Sequence, residues 1–174
     1  MVLLLLALLL PGLAAQDGER GRVFAATRAS VVAIRNSEGY GSGLILDETG
    51  LILTNAHVMI SAEAYAVEVE GPSRATYRNV KLVGVHPKLD LALVKIDPGE
   101  HPLKLQPIRR AAGPPGVGDA VYAVGFPSSR GGHTKTITAG EVKAVDRFIE
   151  GGRYFEVTTE VWSGNSGGPL CNDR

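Results

Sequence analysis

Gly41-Ser-Gly-Leu-Ile-Leu-Asp-Glu-Thr-Gly-Leu-Ile-Leu-Thr-Asn-Ala-His-Val58 carries two short apolar runs on either side of Asp47-Glu-Thr-Gly50. Apolar runs of this length, bounded by turn residues, read as strands rather than as an amphipathic helix. The four residues between them read as a hairpin loop, with Gly50 suited to a positive φ. The same pattern runs outward in both directions. Strands are expected at Ser30–Arg35, Gly43–Asp47, Leu51–Thr54, Ala64–Glu70, Thr76–Val85 and Leu91–Ile96, with a single helical turn over Ala56–Ile60. A second set is expected at Ala120–Gly125, Thr136–Val145, Tyr154–Thr159 and Gly168–Cys171.

Between the two sets, Asp97 to Gly118 contains five prolines, which deny amide donors to any ladder, so residues 98–118 read as a linker. Strands, linker and further strands give an all-β chain of two antiparallel barrels, the first over 23–97 and the second over 119–174, incomplete at its C-terminal end. No internal repeat of solenoid period is present.

The chain has 174 residues, enough for one domain of average size or two small ones sharing an interface. Apolar residues make up 44%, which permits a sizeable core, and 22 glycines and 10 prolines disfavour long helices. Eighteen basic residues balance eighteen acidic ones, so nothing draws the chain to nucleic acid or an anionic membrane. Met1 to Gln16 combines an apolar run, a Pro-Gly break and small residues at Ala14 and Ala15, the parts of a secretory signal over 1–15. No Lys or Arg precedes the run, and an uncleaved signal acting as a weak anchor stays open. The run is too short for a stable membrane span, which needs roughly 20 apolar residues. Export through this segment is the expectation, with residues 16–22 a flexible polar connection. Cys171 is the only cysteine, so no internal disulfide forms. A thiol nucleophile is one reading of it, and a small buried hydrophobe is the commoner one.

Chemistry concentrates at Gly164-Asn-Ser-Gly-Gly-Pro-Leu170. A serine among glycines sits where the backbone can approach a substrate, and amides at Gly164 and Ser166 suit the oxygen of a tetrahedral intermediate. A glycine-rich turn holding a serine by accident is the plain alternative. Serine needs a base, and His57, His86, His101 and His133 are available. His57 directly follows a strand, whereas the other three lie in loops. Asp90, at the start of the apolar run Leu91–Ile96, is a turn aspartate or a buried carboxylate in need of a partner.

Taken together, Gly41–Val58, Asp90-Leu-Ala-Leu-Val-Lys-Ile96 and Gly164–Leu170 resemble the trypsin-like serine proteases, most closely the HtrA (Deg) branch. Val117–Pro127 and Thr138-Ala-Gly-Glu-Val142 fit that branch too, and the likeness spans about residues 24 to 171. The resemblance implies two β-barrels with the site between them and peptide or protein substrates hydrolysed through an acyl-enzyme. It implies His57 as general base, Asp90 as its orienting acid, Ser166 as nucleophile and the Gly164 and Ser166 amides as oxyanion hole. No metal or cofactor is implied: there is no H-E-x-x-H and no cysteine pair. The α/β-hydrolase elbow G-x-S-x-G is excluded by chain order, since no histidine follows Ser166.

The departures are specific. Asn165 stands where digestive relatives carry the aspartate that captures a cut N-terminus, so no activation of that kind is expected. Trp162-Ser163 replaces the Asn-Pro usual in the HtrA pattern. Glu160, six positions before Ser166, matches by count the floor of the trypsin specificity pocket, where a carboxylate favours Lys or Arg side chains. The last residues, Cys171-Asn-Asp-Arg174, come before the strands that the family adds, and no PDZ domain is expected to follow. A catalytically incompetent fragment or pseudoprotease is therefore the alternative function. Oligomeric state is not legible.

Overall fold

Strand β1 (Val31–Asn36) is buried on both faces, and its Val-Val-Ala-Ile run accordingly shows no apolar–polar alternation. Successive side chains of a strand point to opposite sides. Val32 and Ile34 enter one apolar cluster while Val31 and Ala33 enter another, which makes β1 the wall shared by two cores. The computed structural model describes residues 11–60, 65–71, 74–101, 103–128, 134–149 and 151–174.

Seven strands form the first antiparallel sheet: β1, β2 (Gly39–Ile45), β3 (Leu51–Asn55), β4 (Ala66–Val69), β5 (Ala75–Tyr77), β6 (Lys81–His86) and β7 (Leu91–Lys95). Their order is β5-β4-β1-β2-β3-β7-β6. The curled sheet encloses Ile34, Ile45, Ile52, Val67, Tyr77 and Val94. The hairpin loop forms as the sequence implies, with Gly50 at φ 89° and the Leu46 amide donating to Leu51 O at 2.8 Å. The Thr49 hydroxyl and the Leu51 and Thr49 amides donate to Asp47, which holds its carboxyl below the usual range. A short helix, α2 (Ala56–Ile60), follows β3 where a single helical turn was expected. The single strand expected over Thr76–Val85 is instead two. The amides of Arg78 and Asn79 donate to the Glu100 carboxylate, at 3.2 and 3.3 Å, and so leave the ladder.

The second sheet has four antiparallel strands in the order β10-β9-β8-β11: β8 (Ala120–Gly125), β9 (Thr136–Ile149), β10 (Gly152–Val157) and β11 (Leu170–Cys171). The architecture is mostly β, with the first sheet curled and the second open, as the trypsin-like expectation of an incomplete second barrel required. Strand β11 is shorter than the run foreseen over Gly168–Cys171, because the Gly168 amide turns back to Asn165 O at 2.8 Å.

The described residues of 98–118 contain no strand, yet they are docked. Leu105 is buried in the first core, and the Ile108 amide donates to Ile45 O at 2.8 Å. Residues 16–22, foreseen as a flexible connection, lie inside a helix, α1 (Pro11–Thr27), which also takes in the end of the apolar leader. Contacts with the second sheet account for it: Tyr122 Oη donates to Glu19 Oε1 at 2.8 Å, Val23 is buried, and Phe24 packs on the second core. Burial and the Glu19 carboxylate push the Tyr122 phenol up to about 12. Residues 1–10, most of the expected signal, lie outside the described residues. No described helix is long and apolar enough to cross a membrane. Lys135, buried at the head of β9, ties the second sheet to the end of β4 through Glu70 at 3.2 Å and to Arg28 O. Burial pulls its pKa down, and Glu70 opposes that pull.

The enclosed strands of the first sheet and its exposed edge strand β6 differ in what they tolerate. Ile52→Ala, in the enclosed core, is expected to cost about 2–5 kcal/mol in urea unfolding. Val83→Ala, on exposed β6 at 58% exposure, is expected to stay within about 0.5 kcal/mol. Equal losses at both positions would contradict the assigned core.

Candidate active site

Asp90 closes the 3₁₀ turn Pro87–Leu89 in the left-handed conformation, φ 51° and ψ 45°, which aspartate tolerates better than most residues. The turn reverses the chain out of β6 and aims Asp90 back at α2. Its Oδ2 lies 2.6 Å from His57 Nδ1, and its Oδ1 accepts the His57 amide at 2.9 Å. Its carbonyl accepts the Ala56 amide at 3.0 Å and Asn55 Nδ2 at 2.7 Å. Asp90 is thus both a turn aspartate and the partner of a histidine. The reading of Asp90 as a buried carboxylate needs correcting: the Asp90 side chain is 45% exposed and that of His57 55%, with Asp90 just before β7 and His57 in α2 just after β3. Hydrogen bonding, and not burial, pairs them. A carboxylate on Nδ1 fixes the ring and leaves Nε2 as the nitrogen that can accept a proton.

Ser166 arrives from the second sheet on a loop shaped by two left-handed glycines, Gly164 at φ 96° and Gly167 at φ 83°. A Cβ on Gly167 would collide with Ser42 O and Thr54 Oγ1, so the loop approaches β2 and β3 as bare backbone. The Ser42 amide donates to Ser166 O at 2.7 Å, and the Ser42 hydroxyl donates to Gly164 O at 2.7 Å. The Gly167 amide donates to Asn55 Oδ1 at 2.6 Å, two residues before His57. Within the loop, Asn165 N donates to Trp162 O at 2.9 Å. The structure therefore pairs His57 with Asp90 directly, and anchors the Ser166 backbone to the strands that lead to them.

The remaining candidates are accounted for separately. His86 Nδ1 accepts the Leu89 amide at 3.2 Å and caps the 3₁₀ turn. The ring of His101 contacts Thr76 O at 2.9 Å and stands edge-on to Tyr77 at 4.9 Å. His133 lies outside the described residues. Glu160 is exposed, and its carbonyl accepts the Thr138 hydroxyl at 2.7 Å. Asn165 is buried, and its Oδ1 has no partner among the described residues. No group of acidic, His and Cys side chains among the described residues is arranged to hold a metal ion. A cavity of about 560 Å³ lies between α1, the 98–118 segment and the second sheet, lined in part by Val23, Ile108, Val121, Phe155 and Cys171. None of His57, Asp90 and Ser166 lines it.

Two residues with structural consequence at this site were not singled out in the sequence: Ser42 and Asn55. Ser42 sits between two glycines that admit close backbone neighbours, and Asn55 is a polar residue at the end of an apolar strand. Those local features were the only signal available, and neither names a partner.

The trypsin-like peptidase domain family model matches residues 41–174. A probable periplasmic serine endoprotease, DegP-like, of Brucella suis is 37% identical over 135 residues, covering 74% of this chain and 24% of that protein. A protein of the same description from Pseudomonas fluorescens is 34% identical over 145 residues, covering 79% and 28% respectively. The chain thus spans about a quarter of the length of the curated relatives it matches. Among solved structures, Deg5 superposes with a TM-score of 0.77 at 28% identity, covering 91% of this chain and 81% of that one. The serine endoprotease from Yersinia pestis superposes at 0.73 with 30% identity, covering 88% and 53%.

Cys171, half-buried against the second core, bears on the thiol alternative. Burial pushes its thiol up to about 11, so at pH 8 only about one thiol in a thousand is ionised. Alkylation by iodoacetamide should be slow at pH 8 and climb about tenfold per pH unit toward pH 11. A plateau reached below pH 9 would contradict this environment and reopen the thiol as a nucleophile.

Proposed function

The chain belongs to the trypsin-like peptidases, on their HtrA (Deg) branch, and from that premise we propose that it is a serine endopeptidase in which Ser166, His57 and Asp90 carry the reaction. The observation that carries the proposal is the 2.6 Å contact between His57 Nδ1 and Asp90 Oδ2, at the end of a strand that also anchors the Ser166 loop. In the proposed reaction Ser166 Oγ attacks the peptide carbonyl as His57 Nε2 takes its proton. The oxyanion moves into the space before the Gly164 and Ser166 amides, each such donor being worth on the order of 3 kcal/mol of barrier. His57 then protonates the leaving amine, and water releases the acyl group by the same proton route. Asp90 keeps the ring in the tautomer that this requires and stabilises the imidazolium. No metal or cofactor enters the scheme.

Export belongs to the same proposal, supported by the apolar leader and by the periplasmic description of the relatives. Substrates are peptides or proteins. Glu160 adds a specificity element: its carbonyl is held by Thr138 six residues before Ser166, and a carboxylate there favours a basic side chain before the cut bond.

Labelling with a fluorophosphonate tests the chemistry. The chain is expected to be modified at Ser166, with no modification in Ser166→Ala or His57→Ala and a rate about 10⁴-fold lower in Asp90→Asn. Unchanged labelling in Ser166→Ala, or a folded wild-type chain that takes no label, would refute the assignment. For Glu160, a panel of peptides is expected to show preference for Lys or Arg that weakens in Glu160→Gln. An indifferent panel would remove the specificity element and leave the triad untouched.

A further inference from the structure

We infer that Asn55 is a positioning residue: its side-chain amide couples the main chain of Asp90 to the loop bearing Ser166, and so sets the approach of the serine hydroxyl to the His57 ring. The inference rests on the roles proposed above for His57, Asp90 and Ser166.

Both ends of one rigid plane are used. Nδ2 donates to Asp90 O at 2.7 Å, and Oδ1 accepts the Gly167 amide at 2.6 Å. The orientation of the amide is dictated by its partners, since a carbonyl can only accept and a peptide N–H can only donate. Asn is the shortest side chain offering a donor and an acceptor on one plane. Ser and Thr would have to reach both partners from a single oxygen, and Asp has no donor.

The platform beneath this amide is stiff. Asn55 is the last residue of β3, in register with Leu91 of β7, the residue after Asp90. One side therefore sits on the ladder that also carries the acid. Gly167, on the other side, directly follows the nucleophile and is pressed against Ser42 and Thr54. The nucleophile comes from the second sheet and its base from the first. Asn55 Oδ1 is a side-chain bond that crosses this divide next to both. Reactions of this kind need the attacking atom aligned, and a displacement of about 1 Å can cost about 100-fold in rate.

Plain stabilisation of the fold would give Asn55 a different signature. Loss of positioning lowers the maximal rate of serine modification while reagent binding holds, whereas partial unfolding lowers the amount of active protein and the melting temperature together. The variants separate the two arms of the bridge. Asn55→Ala removes both, and Asn55→Asp keeps an acceptor for Gly167 while facing Asp90 O with an oxygen.

Saturation kinetics of fluorophosphonate labelling on the full chain, at the top of its pH profile, make the test. Asn55→Ala is expected to lower the maximal labelling rate by about 10–100-fold, with the half-saturating concentration unchanged within about twofold. Asn55→Asp is expected to lose less than Asn55→Ala, but measurably. A maximal rate equal to wild type in Asn55→Asp, or within twofold of it in folded Asn55→Ala, would overturn the inference. Should Asn55→Ala fail to fold, Asn55→Asp alone decides. Label that persists in Ser166→Ala would instead sink the triad assignment, so the two failures are distinct.

Discussion

The candidate site depends on one buried hydroxyl. Ser42, with no exposed surface, donates from Oγ to Gly164 O at 2.7 Å and accepts the Phe126 amide on the same oxygen at 3.0 Å. Its own amide holds Ser166 O, and its carbonyl accepts the Thr54 hydroxyl at 2.7 Å. Three of these bonds join the first sheet to the loop of the nucleophile and to the end of β8, and the fourth ties β2 to β3. Buried polar groups left unpaired are expensive, about 1–3 kcal/mol each, so these bonds restrict the loop to one shape. The shape then requires glycine at 167, because the loop passes too close to β2 and β3 for a side chain.

The cores explain why the halves hold a common geometry. β1 feeds one with Val32 and Ile34 and the other with Val31 and Ala33, so neither can shift without disturbing the strand between them. Lys135 and Glu70 fix the same relationship at a second point, and α1 adds a third through Glu19 and Val23. Against this, the hairpin of β9 and β10 is loosely covered: Phe148, Ile149, Tyr154 and Phe155 are all exposed. Ion pairs between Arg147 and Glu156, and between Arg153 and Asp146, run along that hairpin at 3.1 and 3.2 Å. Exposed pairs of this kind contribute little, so the hairpin is held by its ladder.

Local pattern carried most of the fold. Short apolar runs punctuated by Gly, Pro and Asp located the strands, and Ala120–Gly125 and Ala56–Ile60 were legible to the residue. What was not legible is tertiary. Nothing near Arg78 and Asn79 announces that Glu100 will take their amides and split a strand. The polar residues 16–22 signalled no helix, because its support comes from Tyr122, a hundred residues away. At the candidate site, residue type and order picked out His57, Asp90 and Ser166, since the chemistry restricts those types. For Asp90 the apolar neighbours left a turn aspartate and a buried carboxylate both open, and the left-handed turn places it at the surface edge. Ser42 and Asn55 stayed silent, since a supporting serine or asparagine is recognisable only by what it touches.

The central claim is spatial: a hydroxyl from one sheet meets an imidazole and a carboxylate from the other. A crystal structure of the chain reacted with a peptidyl phosphonate tests it most directly. The account predicts phosphorus bonded to Ser166 Oγ, one phosphonyl oxygen held by the Gly164 and Ser166 amides, and His57 Nε2 within hydrogen-bonding distance while Nδ1 stays on Asp90. Phosphorus on another residue, or a His57 ring turned away from an adduct at Ser166, would contradict it.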